Sequence, residues 1–185
     1  MAIVTNKFKL LVLSYGLSTF SEGIIIPVYA FFVQNIGGGI LETTGTVSIF
    51  LIVSGITTLF IHKFEWSQKH ALKLLVFGWL IWLFGIICYF LISNLTTLII
   101  AQVLIAIGNA IANPAFDSEL MLHTNKNSKS YEWGIFEASQ DIFNGIAAFV
   151  AGVVVVIWGF NTLIVIMVLT ASISFALIYR YYRYL

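Results

Sequence analysis

The segment FSEGIIIPVY, residues 20–29, sets a carboxylate, a glycine and a proline into a stretch that is otherwise apolar. Glu22 stands twelve residues beyond Leu10, where that stretch begins. At helical rise this is about 18 Å, close to the middle of a bilayer. An acidic side chain at that depth costs on the order of 3 kcal/mol on insertion scales, and intramembrane acids are functional by default. It can carry a proton or hold a cation. No Lys or Arg lies in the core of any apolar run, which leaves a proton, a metal cation or a cationic substrate as its counter-charge. The plain alternative is a structural glutamic acid, hydrogen-bonded to Ser18, Ser21 or a neighbouring helix. Gly23 and Pro27 follow it as helix-weakening residues.

Other polar side chains recur at comparable depth. Tyr15 in the same run, Gln102, Asn109 and Asn113 in another, and Asp141 and Asn144 in a third complete, with Glu22, the candidate substrate- or cation-binding set. Lipid offers these groups no hydrogen bond, so they face a partner or a water-filled cavity. Glu137 and Asn144 lie at i−4 and i+3 from Asp141 and share its helix face. That face is either a second relay or a gate meeting Lys63 or Lys69. Asp117 and Glu119 read as interfacial, and His62, His70 and His123 as surface residues with no ligand spacing. The single cysteine, Cys88, reads as a buried apolar thiol, and no cofactor or metal is expected. Enzyme chemistry finds no support: there is no G-x-S-x-G, no intramembrane His to activate Ser54, and no H-E-x-x-H.

Membrane-spanning helices must carry these residues. The chain is 60% hydrophobic and 9% charged, with a mean hydropathy of +1.00. Its apolar residues fall in blocks of roughly twenty, the length that crosses about 30 Å of hydrocarbon. Six spans result, at about 10–33, 44–61, 73–92, 95–116, 134–158 and 161–179, separated by NIGGG, HKFEWSQKH, SN, HTNKNSKS and WGFN. Helix is the form such spans take, because each must satisfy its own backbone. All nine Lys and Arg residues fall on one side. The positive-inside rule then puts both termini and the loop of about 117–133 in the cytoplasm of a multi-pass plasma (inner) membrane protein. The run after Lys7 and Lys9 reads as a retained first helix rather than a signal peptide. The tail RYYRYL reads as an interfacial anchor, and a net charge of +1 gives no nucleic-acid face.

The chain has two prolines, in GIIIPVY and AIANPAF, 87 residues apart (114 − 27 = 87). Each is followed, after one residue, by an aromatic, and each lies in the first helix of a three-helix block. One block begins inside and the other outside, so the blocks of about 10–92 and 95–179 read as inverted repeats within a single six-helix domain, residues 1–185. Gly23, Pro27 and Pro114 are the expected helix breaks.

With these features the sequence resembles the N-terminal six-helix half of the major facilitator superfamily. The loop between spans two and three carries Glu65 at the acidic position and Lys69 at a basic position of that family's G-x-L-A-D-R-x-G-R-K motif, without its glycines and first arginine. IIAQVLIAIGNAIANPAF resembles the fourth helix, with Gln102 where the motif has arginine, and span five lacks the Gly-Pro pair of the antiporter motif. The resemblance implies an all-α fold in which helices one and four line a cavity, two and five pack across halves, and three and six face lipid. It also makes Glu65, Lys69 and Glu137 a gate. Gly45, Ser48 and Gly55 in span two and Gly145, Ala148 and Gly152 in span five would then form a dimer interface, packing within the protomer being their other use. The expected function is a half-size secondary active transporter that works as a parallel homodimer. Its partners would be the lipid bilayer, a second copy of itself, a small solute and protons or another cation. The alternatives are a non-transporting or heteromeric membrane subunit and, behind it, an intramembrane enzyme.

Overall fold

Helix α1 (Asn6–Gly23) ends where the sequence loosens. Pro27 sits in a 3-10 turn, Ile26–Val28, and the chain resumes as α2 (Tyr29–Asn35). The proline ring cannot donate to the Gly23 carbonyl, and Gly23 itself favours helix weakly, so the turn tightens to i−3 bonds such as Ile25 N–H to Glu22 O at 3.3 Å. Gly37, at φ +86°, closes α2 in the left-handed region that suits glycine. Then come α3 (Ile40–Lys63) and α4 (Gln68–Ile87), which tightens into a 3-10 turn at Cys88–Leu91. Asn94 caps α5 (Leu95–Leu122), accepting the Thr97 N–H at 3.0 Å. The final element is α6 (Lys129–Arg183). This computed structural model describes residues 6–63, 68–124 and 128–183, and every element among them is helical.

Pro114 departs from expectation: α5 runs through it unbroken. Four residues before it stands Ala110, where α1 has a glycine before Pro27. A proline removes a single ladder bond, and alanine holds the remaining turn in helix where glycine lets it go.

Helix α6 is 55 residues long, which if straight would reach about 80 Å and far exceed a bilayer. It is interrupted at Gly159, whose φ of 79° and ψ of 179° lie in a region open only to glycine. The two arms, residues 129–158 and 160–183, run in opposite directions along α1. Going up α1, Tyr15 meets Phe136 edge-on at 5.3 Å, Gly16 lies against Phe143 and Gly23 against Ala147. On the other arm the order is reversed: the Ser174 hydroxyl donates to Ser14 O at 2.6 Å and the Ser21 hydroxyl to Met167 O at 2.8 Å. The break expected at WGFN is therefore a chain reversal. Among the described residues five helices are long and apolar enough to cross a membrane, and the fifth contains both arms.

The helices pack out of chain order. α1 packs on the two arms of α6, and α5 packs on α3 and α4. Backbone contact is closest at Gly78, Gly85 and Gly108, which let α4 and α5 meet without side chains between them. The core they enclose includes Trp79, Trp82, Leu98, Phe116 and Met167. By contrast α3 is nearly bare, Thr46 being its one buried residue among those described.

Candidate functional site

The break in α1 and the middle of α5 bring Glu22 against Asn109. Asn109 Nδ2 donates to Glu22 Oε1 at 2.8 Å, and the indole N–H of Trp82, from α4, donates to the same oxygen. Glu22 Oε2 takes no hydrogen bond among the described residues. A half-buried carboxylate is thus held on one side and left open on the other.

It opens onto two cavities. The first, of about 60 Å³, is polar and is lined by Tyr15, Ser18, Thr19, Glu22, Asn109 and Asn113, with Trp79, Trp82 and Ala112. The second, of about 330 Å³, is largely apolar, lined by Ile25, Val47, Phe50, Ile86, Ile105 and Met167 among others, with Glu22, Tyr29, Tyr89 and Gln102 as its polar groups. Glu22 is common to both linings.

Each cavity ends in a layer of side chains. Beyond the small one, toward the end of the molecule that carries Lys7, Lys129 and Arg183, Tyr15 packs on Phe116 at 4.5 Å and on Trp79 at 6.0 Å, and Phe116 on Phe136 at 5.7 Å. Beyond the large one, the Gln102 amide donates to Tyr29 at 3.1 Å and to Tyr89 at 3.0 Å, while the Tyr29 hydroxyl donates to Thr46 at 2.7 Å. Tyr15 and Tyr29 are each seven residues from Glu22, and Gln102 and Phe116 each seven from Asn109. The pairs Tyr15 with Phe116, Glu22 with Asn109, and Tyr29 with Gln102 are therefore successive rungs of one antiparallel crossing, about 10 Å apart along each helix. Glu22 and Asn109 are also 87 residues apart, the offset of the two prolines.

Of the residues singled out in the sequence, Tyr15, Glu22, Asn109 and Asn113 share the small cavity, and Gln102 joins Glu22 in the large one. Asn144 reaches the backbone of Gly23, next to Glu22. Asp141 is exposed one turn away on the same arm, and Glu137 accepts the Trp133 indole N–H at 2.9 Å. Glu65 lies outside the described residues, and Lys69 stands in the first turn of α4. Gly45 is half-buried, and Ser48, Gly55, Gly145, Ala148 and Gly152 are exposed, with open space around each of the four glycines.

Three partners escaped sequence reasoning. Trp82 and Tyr89 belong to a span that reads as lipid-facing; their polar tips, which need partners when buried, were the available signal. Thr19 donates to Gln140 across 121 residues, a pairing no local spacing reveals. His123 is not a free surface residue either. The second arm of α6 returns alongside the end of α5, so the hydroxyl of buried Tyr181 donates to buried Glu119 at 2.6 Å and lies 2.6 Å from His123 Nε2.

The sequence model of the Major Facilitator Superfamily matches residues 11–184, almost the whole chain. No curated protein matches the chain significantly. The match spans both arms of α6, the broken α1 and the Glu22 seam together, and on it the chain belongs to the Major Facilitator Superfamily.

Proposed function

We propose that this chain is a secondary active transporter in which Glu22 binds the coupling proton or cation and, in alternation, the solute. Transport is the activity its family supports. The observation that carries the finer reading is the position of Glu22: an open carboxylate between two cavities, with Asn109 and Trp82 on one oxygen and, among the described residues, no Lys or Arg lining either cavity. A group reachable from either side is what alternating access requires, and the Tyr15–Phe116 and Tyr29–Gln102 layers are the two barriers that would open in turn.

The arms of α6 count as separate spans in this reading, giving six helices in two inverted three-helix repeats. Support comes from the shared 87-residue offset and from the way each first helix packs in the opposite block. Both termini then lie on the positively charged, cytoplasmic side of the plasma membrane.

The transporting unit is a parallel homodimer. Glu137, Asp141 and Asn144 are exposed on the first arm of α6 at or near membrane depth, where lipid cannot serve them. Water in a cavity between two copies can. The bare face of α3 and the open glycines 45, 55, 145 and 152 supply close-approach surfaces beside it.

Two measurements test this. Native mass spectrometry from lipid nanodiscs should give a dimer. Proteoliposomes containing a pH-sensitive dye and challenged with alanine, glucose, citrate or an organic cation should show solute-induced proton movement that Glu22→Gln lowers about a hundredfold. A stable monomer with no flux for any of the four would support instead a non-transporting subunit, or one completed by a different chain.

A further inference from the structure

The larger cavity, of about 330 Å³, falls within the size range of small-molecule sites, and its lining is specific enough to select a class of ligand. Its polar groups are few. Gln102 is committed to Tyr29 and Tyr89, and Tyr29 to Thr46, so the uncommitted charge is Glu22 Oε2. Among the described residues no Lys or Arg lines it. The mouth is rimmed by exposed apolar side chains, Ile26, Val47 and Leu51.

Each simple ligand class meets these walls differently. An anion would face a carboxylate with no cation to offset it. A neutral apolar solute would fill the space but strip water from the carboxylate without replacing it, leaving a desolvated charge uncompensated. A bare metal ion needs several oxygen ligands, and this cavity offers a single carboxylate; among the described residues no group of three or more His, Cys, Asp or Glu side chains exists to hold one. A small hydrophilic cation would satisfy Glu22 and leave the apolar wall wet. What remains has a positive head and an apolar body. The aromatic faces of Tyr29, Phe50 and Tyr89 add the attraction that ring quadrupoles give to organic cations.

We infer that the cavity binds a monovalent amphipathic organic cation, its charged head against Glu22 and its apolar body among Phe50, Ile86, Ile105 and Met167. This deepens the transporter reading and rests on it for its physiological meaning, although binding can be measured without transport.

The test is equilibrium binding of radiolabelled benzyltrimethylammonium to the protein in lipid nanodiscs, against empty nanodiscs. That probe keeps its charge at every pH, and neopentylbenzene is its neutral isostere. Saturable binding is expected, with tetramethylammonium competing at least about tenfold more weakly and neopentylbenzene and phenylmethanesulfonate failing to compete. Glu22→Gln should weaken binding at least about tenfold. Should Glu22→Gln fail to elute as folded protein, Val47→Trp decides, because it sits at the exposed mouth and its indole fills the space needed by the probe's ring; it too should weaken binding about tenfold. Equal competition by the neutral isostere or the sulfonate, or full binding by the folded Glu22→Gln or by Val47→Trp, overturns the proposal. Flux of a sugar or amino acid without cation binding would overturn this assignment and leave the transporter reading standing. Cation binding without flux of any solute would do the reverse.

Discussion

The two prolines of the chain stand 87 residues apart, at the break after α1 and inside α5, yet Pro27 follows the end of its helix and Pro114 does not interrupt its own. The residues around them differ in a consistent direction. Where α1 has Glu22 and Gly23, α5 has Asn109 and Ala110 at the same offset of 87. Ser21, which ties α1 to the second arm of α6 through a hydroxyl, corresponds to Gly108, which lets α5 touch the backbone of Trp82 directly. One member of the pair is thus charged and broken, and the other is neutral and continuous. In the proposed transport cycle one helix moves against something that does not, the broken α1 being the moving part and α5 the fixed one.

The largest expected effect is on the fixed member. A Cβ at Gly108 would lie 2.4 Å from the Trp82 backbone nitrogen, and backbone on both sides leaves nothing flexible to yield. Gly108→Leu should abolish folded protein, seen as loss of the monodisperse peak in size-exclusion chromatography. Ser21→Ala, at the equivalent place in α1, removes one interhelical hydrogen bond, and its cost should stay near the ~0.6 kcal/mol typical of such bonds in membranes. If both variants were equally tolerated, the contrast between a fixed and a mobile first helix would be gone.

Next in size is the exchange of chemistry across the seam. Glu22→Gln keeps the Asn109 and Trp82 contacts in outline and removes the charge, so coupled flux should fall by about two orders of magnitude, equivalent to about 2.7 kcal/mol, with folding retained. Asn109→Asp should be worse for stability than for chemistry, since it sets a second carboxylate beside the first and turns a donor into a repulsion. The double variant Glu22→Asn with Asn109→Glu restores one acid to the seam from the opposite helix. Its flux, measured in the same proteoliposomes, should recover part of the loss if both cavities reach the seam, and none if the carboxylate must stand on the broken helix.

How far the sequence could lead to this site depends on the range of each interaction. Depth along a span follows from counting residues, so a mid-membrane position is what the sequence leads one to expect for Glu22, and the proline offset is readable by the same counting. The offset even pairs Glu22 with Asn109, although nothing in the sequence says that equivalent residues meet. The break at Gly23–Pro27 follows from local backbone chemistry, whereas the continuity at Pro114 turns on Ala110, a residue too ordinary to attract notice. Trp82 and Tyr89 lie in a span whose composition is that of a lipid-facing helix. Only tertiary packing shows that one stripe of it meets Glu22 and Gln102. The Glu119–Tyr181–His123 cluster joins positions 58 and 62 residues apart and has no local signature.

A subtler prediction concerns the hinge itself. Gly23→Ala adds a Cβ that would come 2.6 Å from Asn144 Oδ1, a side-chain atom able to move. It also removes the residue that lets α1 end, so stability should change by about 1 kcal/mol or less while flux slows. Ala110→Gly makes the converse change in α5. It should cost about 1 kcal/mol and raise amide hydrogen exchange around residues 110–114 toward that of 23–27. Exchange that stays unequal after both substitutions would mean that the prolines and their neighbours, rather than the glycine, set the break.

The smallest effect on the protomer, and the one most telling about its surroundings, is expected at Gly152. Gly78, Gly85 and Gly108 are each crowded by a neighbouring helix, but a Cβ at Gly152 meets nothing within 4 Å, as at Gly45, Gly55 and Gly145. Gly152→Leu should therefore leave the protomer's unfolding temperature within a degree or two, or raise it slightly through the higher helix propensity of leucine. In a dimer that packs the first arm of α6 against a second copy, the same side chain would hold the backbones apart, and close approach of backbones is what drives helix association in lipid. The dimer fraction in nanodiscs at a fixed protein-to-lipid ratio should then fall several-fold while the monomer stays folded. An unchanged dimer fraction would mean that the glycine face meets lipid, and that any partner sits against α3 alone.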